Sequence, residues 1–498
     1  MKLIKKVLYN IPSFLLVIFK LIALTPIFTM TLVSVRKKHI FILYRNLLNL
    51  NFKILKSLYL ESLSNSWLIF DKIILRFVAT GTGEIFKFGI ESHKVYLQEG
   101  YLNAVPLFKE RQKLQQKLIT NGQISSFASD TLILGPDWVG PFGHISSLSI
   151  FPKMELLDLI KYKNKLIIGG ISSNEKMVEL YEKWYTRLNL NAETQSIFDL
   201  NFRQAYQSLD VVNVGHGTFL DFYAAQFLVE NSIQEKFGPH FSLLRVTEEI
   251  IKTGTDYLEQ VGLSPDQWFV VLHVRENKSD KNIYKGGDNA EILSYKKAIE
   301  LILDLGGQVI RIGNNKMTPL DSIGIKEKNK IFDYATSTHK SQFLDIYFLS
   351  RCRYMIATAS GPMTFPNEFG VPILLTNLPS IGRTYRLRGI STPKLILDIE
   401  KNQLLNINQM LRNSMSWNVS PSNGRFLRID NSQEDIRNAT LELHEIVASS
   451  GKNFWQPVNT LPSTLKNEPP FRDWKLGVPI AKSFLKTYPE IFTDVNIA

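Results

Sequence analysis

The chain has 498 residues, 44% of them apolar and 21% charged, which excludes a disordered or fibrous protein and leaves room for two or three domains with cores of their own. One cysteine, Cys352, excludes an internal disulfide framework. The net charge of +12 is not spread as on a nucleic-acid-binding surface: the first 60 residues hold ten Lys or Arg and no acid, which leaves 48 basic against 46 acidic residues in the rest.

Taken in chain order, residues 1–60 form a basic, apolar, membrane-associating segment. The apolar run over 11–35 is long enough to cross a bilayer, but Pro12, Lys20 and Pro26 interrupt it and basic residues flank both ends. A spanning helix and a helix lying in the interface, held by Lys and Arg to anionic lipid, both fit. A cleaved signal peptide fits less well, because no small-x-small site follows. Residues 61–127 read as helical, with a polar helix-forming run over 105–119.

From Thr131 the texture becomes α/β. "TLILGP" reads as a strand, 145–162 as a helix, 165–171 as a strand and 174–188 as a helix. Helices are expected near 221–230 and 248–261. A second series begins at Trp268. Strands are expected at "WFVVLHV", 308–313, 330–334, "RYMIAT" and 372–377, with helices over 290–305 and 342–352. Alternating strands and helices imply parallel sheets covered on both faces. The boundaries predicted are 128–265 for an N-terminal Rossmann-like domain, 266–430 for a C-terminal one, and 431–498 for a late capped helix and tail.

Three short stretches carry chemistry. In "GPFGH", Gly140 and Gly143 let the backbone approach a ligand closely, and His144 opens a helix whose dipole favours the neutral imidazole, a general base near neutral pH. A His at an ordinary glycine turn is the plain alternative. In "LHVRE", His273 and Arg275 share one side of a strand end, and Arg suits bidentate binding of phosphate oxygens. An Arg–carboxylate pair with a core histidine is the alternative there. In "TASGPM", a strand gives way at Ser360-Gly361 to a helix start with Pro362 in its first turn, which aims backbone N–H groups at an anion. No cluster has metal-ligand spacing, and no glycine-rich nicotinamide fingerprint, P-loop or Gly-x-Ser-x-Gly is present, so neither metal nor other cofactor is expected.

"VLHVRE", "SYKKAIELILDLGGQVIRIGN", "FDYATSTHKSQFLDIYFLSRCRYMIATASG" and "FGVPILLTN" together resemble a bacterial glycosyltransferase family, over about residues 239–380. The resemblance implies the GT-B fold: two Rossmann-like domains facing across a cleft, here with an N-terminal apolar helical segment. "HVRE" is similar to the His-x-Arg of O- and α1,6-fucosyltransferases, where the Arg holds the nucleotide diphosphate, a role that would fall on Arg275. "ASGPM" looks like the turn of heptosyltransferases that contacts donor phosphates, a role that would fall on Ser360 and Gly361. "GPFGHISSL" looks like the GT-B loop that carries the base, here His144. The chain departs from the family pattern in having Asp288 before Asn289-Ala290 and Asn314 after Gly313, where the family often has Arg and an acid.

The expectation is a sugar transferase, inverting and metal-independent. It would move a sugar from a nucleotide-diphosphate donor to a hydroxyl of a lipid-linked or surface glycan, at the cytoplasmic face of an inner membrane. His144 and Arg275 would be catalytic. Gly143, His273, Arg275, Ser360 and Gly361 would bind donor phosphate, and Asp333, Tyr334 and Glu368 would line the nucleotide or ribose. Nucleotide sugar, glycan or lipid-linked acceptor and membrane surface are the expected partners, and nucleic acid is not. The rivals are a nucleotide-sugar epimerase on the same fold and a non-catalytic glycan-assembly protein.

Overall fold

The computed structural model describes residues 131–135, 138–168, 172–188, 211–214, 219–276, 289–379, 387–412, 425–451 and 478–492, with Pro106. The basic segment 1–60, the helical region expected over 61–127 (Pro106 apart) and the loop that follows Glu276 lie outside the described residues. Among the described residues no helix is long and apolar enough to cross a membrane.

The first sheet is parallel, with strands β1 (Thr131–Leu134), β2 (Asn164–Ile168) and β3 (Thr186–Leu188) in that order. Leu132 lies opposite Lys165, and Leu166 opposite Thr186. The β1–β2 crossover is a nearly continuous helical run: α1 (Phe142–Ile145), a 3-10 turn over Ser146–Ser149, and α2 (Ile150–Leu156). It buries Ile145, Leu148, Phe151 and Met154.

The segment expected to be helical over 174–188 divides in two. Helix α3 (Glu175–Glu179) is capped by Asn174, whose Oδ1 accepts from the Met177 N–H at 2.8 Å. The helix then stops, and Thr186–Leu188 joins the sheet as β3. Tyr181 and Tyr185 are both fully packed, and Tyr185 Oη donates to the Leu148 carbonyl at 2.5 Å. Anchoring both rings draws the chain off the helix axis, so packing overrides a good local helix propensity.

An antiparallel ribbon, β4 (Val211–Asn213) with β5 (Phe219–Asp221), leads into α4 (Phe222–Phe237), and α5 (Glu248–Gln260) follows. Thr247 caps α5 by accepting from the Ile250 N–H.

The second sheet has six strands: β6 (Phe269–His273), β7 (Gln308–Arg311), β8 (Ile331–Phe332), β9 (Tyr354–Ala357), β10 (Ile373–Leu378) and β11 (Gly389–Pro393). Their order is β11-β10-β9-β6-β7-β8, and every pairing is parallel. Helix α6 (Lys296–Asp304) crosses from β6 to β7, and α7 (Gln342–Arg351) from β8 to β9. A 3-10 turn (Gly361–Thr364) and α8 (Phe365–Glu368) cross from β9 to β10.

Alternation along β6 sends Phe269 and Val271 to one core and Val270, Leu272 and Val274 to the other. The first core also holds Leu132, Leu134 and Ile167 of the first sheet, and the described residues from 131 to 188 and from 211 onward belong to one compact unit. The second core is closed by a small antiparallel sheet of β12 (Leu395–Asp398), β13 (Gln403–Leu404) and β14 (Phe426–Ile429), and by α9 (Ile407–Arg412), α10 (Gln433–Ser450) and α11 (Lys482–Thr487). A Ser432/Asp435 capping box starts α10. The chain is thus a mixed α/β protein with two parallel sheets.

Candidate functional site

Strand order reverses between β6 and β9: the sheet grows one way through β7 and β8, and the other way through β10 and β11. At such a switch point the loops leaving two neighbouring strands turn to opposite faces and leave a crevice at the strands' carboxyl ends. Two of the three chemical motifs of the sequence sit there. Arg275 lies just past β6, and Ser360-Gly361 just past β9.

Thr358 binds the two strand ends together. Its N–H donates to the His273 carbonyl at 3.0 Å, and its Oγ1 accepts from the Arg275 N–H at 2.9 Å. Thr358 is fully buried and Arg275 is half-buried. The chain returns to this point after the loop, since the Ala290 N–H donates to the Arg275 carbonyl at 3.0 Å. The backbone of Arg275 is therefore fixed on both sides. Ser360 is extended, at φ −156° and ψ 162°, and precedes the 3-10 turn with Pro362 near its start.

The third motif meets the second directly. A Cβ added to Gly143 would lie 2.6 Å from Gly361 Cα, and one added to Gly361 would lie 2.8 Å from Gly143 N. Only glycine on both sides permits so close a backbone approach. Around it the Phe142 and Phe365 rings meet edge to face with centroids 4.7 Å apart. Ser146 Oγ donates to the Gly143 carbonyl at 2.9 Å, and Thr364 Oγ1 donates to the Gly361 carbonyl at 2.8 Å. His144, the next residue, is exposed in the first turn of α1. The loop after β1, the turn after β9 and the end of β6 thus come together.

His273 is buried beneath them. Nδ1 is 3.2 Å from the Ile312 carbonyl, and Nε2 has no hydrogen-bond partner among the described residues. Burial lowers its pKa to about 4 against the raising effect of the Ile312 bond, and the Arg311 and Arg275 charges lower it further. The ring is neutral at physiological pH.

Asp333, Tyr334 and Glu368 are held by neighbours. Arg311 is fully buried and pairs with Glu276 at 2.8 Å and with Asp333 at 3.5 Å, and Asp333 also accepts from the Leu320 N–H at 2.9 Å. Glu276 accepts from the Thr318 N–H at 2.8 Å as well. Tyr334 is 1% exposed, and its hydroxyl donates to the Ser341 carbonyl at 3.1 Å and accepts from the Ser341 N–H at 2.7 Å. Glu368 is 1% exposed, with Lys153 Nζ 2.8 Å from one carboxylate oxygen and donating to the other at 3.0 Å. Lys153 also pairs with Glu230 of α4. Burial raises the Glu368 pKa to about 7 despite the lowering effect of Lys153, and Glu230 raises it further.

Sequence reasoning passed over Thr358, Glu276, Lys153 and Glu230. Thr358 stands inside a quoted motif, two residues before Ser360. Glu276 likewise stands inside a quoted motif, next to Arg275, but its partner Arg311 is 35 residues away; Lys153 and Glu230 lie 77 residues apart, Lys153 and Glu368 215 apart, and these carry no local signal. Among the described residues no group of three or more His, Cys, Asp or Glu is arranged to hold a metal ion.

No protein-family model matches the chain, and no curated protein matches it. Among solved structures it is similar to a glycosyl transferase family 9 protein from Veillonella parvula, at 13% identity and a TM-score of 0.39, over 63% of this chain and 96% of that one. It is similar to the E. coli ADP-heptose LPS heptosyltransferase II at 12% identity and a TM-score of 0.27, over 49% and 83%. It is also similar to a UDP-GlcNAc 2-epimerase from Methanocaldococcus jannaschii at 10% identity and a TM-score of 0.22, over 71% and 84%. At these scores the likeness is a partial one of backbone course, and the functional reading rests on the chain's own site.

Proposed function

We propose that this chain is a glycosyltransferase that moves a sugar from a nucleotide-diphosphate donor to a hydroxyl of a lipid-linked or surface glycan, with inversion and without a metal. The observation that carries the reading is the convergence at the switch point: Arg275 after β6, the Ser360-Gly361 turn after β9, and the Gly143-His144 loop seated against Gly361. An Arg beside a helix start suits a diphosphate, and an exposed imidazole one residue from that contact suits an acceptor hydroxyl.

In the step, the acceptor oxygen bonds to the anomeric carbon while that carbon's bond to the diphosphate oxygen breaks. The hydroxyl proton goes to His144, and the electron pair leaves with the diphosphate. Arg275 and the Ser360-Gly361 turn meet the charge that develops there, as donors already in place. His273, neutral and anchored to the Ile312 carbonyl, holds the strand end beneath Arg275. Asp333 and Tyr334 shape the neighbouring loop through Arg311 and Ser341, and Glu368 acts from below through Lys153.

The test is a thermal-shift screen of nucleotide-diphosphate sugars. A true donor at a hundred times its dissociation constant stabilises the native state by about 2.7 kcal/mol. Arg275→Ala is expected to abolish that shift while the protein still folds, checked by a cooperative melt without ligand. If no nucleotide-diphosphate sugar moves the transition, the reading fails. Incubating a labelled donor without acceptor separates the epimerase: a new free nucleotide sugar would show epimerisation. The membrane part of the proposal places the chain at a cytoplasmic leaflet through residues 1–60. A version lacking them should leave the membrane fraction, and continued pelleting would refute that attachment.

A further inference from the structure

Lys153, Glu230 and Glu368 form a buried ion cluster, each 1–2% exposed, on three different helices. Removing charges from water is costly, and apolar residues of similar size would serve stability as well or better, so stability alone does not account for the cluster. Its position does. Lys153 sits in α2, at the far end of the helical run that begins with Phe142 and carries Gly143 and His144. Glu368 ends α8, at the far end of the run that begins with Gly361. The two runs therefore meet at one end, where the Phe142–Phe365 ring contact flanks Gly143–Gly361, and again at the other, at Lys153–Glu368.

Two contact points fix a relative orientation where one leaves a pivot. At the Gly143–Gly361 end the resistance comes from neighbours, the Phe142–Phe365 rings and the Thr364 hydroxyl 3.5 Å from the Gly143 carbonyl, all close to one point. The second point is a buried hydrogen bond from the Lys153 ammonium to Glu368, a directional contact where an apolar one is not. Glu230 from α4 and the buried Arg388, which donates to the Gly370 and Phe241 carbonyls, surround the pair with compensating charge. Tyr181 Oη, buried and raised well above its ordinary pKa by burial and then by Glu368, completes the surround as a neutral group.

We propose that the buried Lys153–Glu368 hydrogen bond is a positioning device that ties the helix carrying His144 to the helix start at Gly361, so that base and phosphate turn are aligned as one body. Its catalytic meaning rests on the proposed transfer site, whereas the tie itself does not.

Native-state amide exchange tests the tie on the full-length chain. Residues 142–146 and 361–364 should open together, with the same dependence on denaturant. Separate openings would overturn the tie outright. Glu368→Leu leaves Lys153 paired with Glu230, so the ammonium keeps a carboxylate partner. It should speed exchange in both segments about tenfold or more with exchange in α10 unchanged. Glu368→Gln, whose amide oxygen still accepts from Lys153, should return both to within about threefold of the native chain. Faster exchange in one segment only, or throughout the unit, would reduce the cluster to an ordinary core ion pair. With a donor from the thermal-shift screen, Glu368→Leu should lower kcat about tenfold and move the donor KM less than twofold. A raised KM with kcat kept would overturn the alignment role. If coupled exchange is seen and no nucleotide sugar binds, the transferase reading fails and the tie stands.

Discussion

At Gly143 the smallest side chain in the protein decides the site. Gly143→Ala would place a methyl group 2.6 Å from Gly361 Cα, so one backbone has to move. Overpacking of this kind costs about 1–3 kcal/mol. The expected outcome is a melting temperature a few degrees lower and loss of the nucleotide-sugar shift, read in one thermal-shift experiment. Arg275→Lys is expected to weaken donor binding about tenfold or more, because a point charge does not replace a two-pronged guanidinium; titration of the donor checks it. The glycines and the arginine were legible in the sequence because each residue type implies its use. That Gly143 meets Gly361 was not. The two are 218 positions apart in the sequence, and a close approach between glycines leaves no periodic mark.

Between elements, strand and helix positions followed hydrophobic runs, and β1, β6, β7, β9 and β10 fell where apolar stretches end in turn residues. Strand β3 pairs with β2 about 20 residues back and β14 with β12 about 30 residues back, so local propensity says little about them. Helix packing gives a direct test. A Cβ at Gly254 of α5 would lie 2.0 Å from Tyr347 Cγ of α7, so the tyrosine ring fills the space a side chain would take. Gly254→Ala should destabilise the chain by about 1–3 kcal/mol in urea unfolding. In a Tyr347→Ala background the same change should cost much less, since the two sites share one contact.

For the molecule as a whole, two buried groups push the pH dependence of stability in opposite directions. His273 titrates near 4 when folded and near 6.5 when unfolded, so its contribution is present above 6.5 and is lost as pH falls toward 4. Glu368 titrates near 7 when folded and near 4.5 when unfolded, so its contribution is present below 4.5 and is lost as pH rises through 7. Between about 4.5 and 6.5 the two slopes, each up to about 1.4 kcal/mol per pH unit, oppose one another. Burial also raises the Asp345 pKa to about 6, which adds a falling slope, so denaturation measured across that range should show a slope more positive than the native chain's in Glu368→Gln and more negative in His273→Asn. That the sheet is parallel followed from the alternation of strands and helices, but its strand order and the place of its reversal did not, because strand order is a property of the assembled sheet. The bare contact of Gly143 with Gly361 has one further consequence. A spacing set by main-chain atoms is indifferent to the side chains around it. A lineage of this chain shifting to a different ligand would have to change the residues ringing that contact and leave the two glycines alone, so they are the positions at which a saturation library should return almost nothing but wild type.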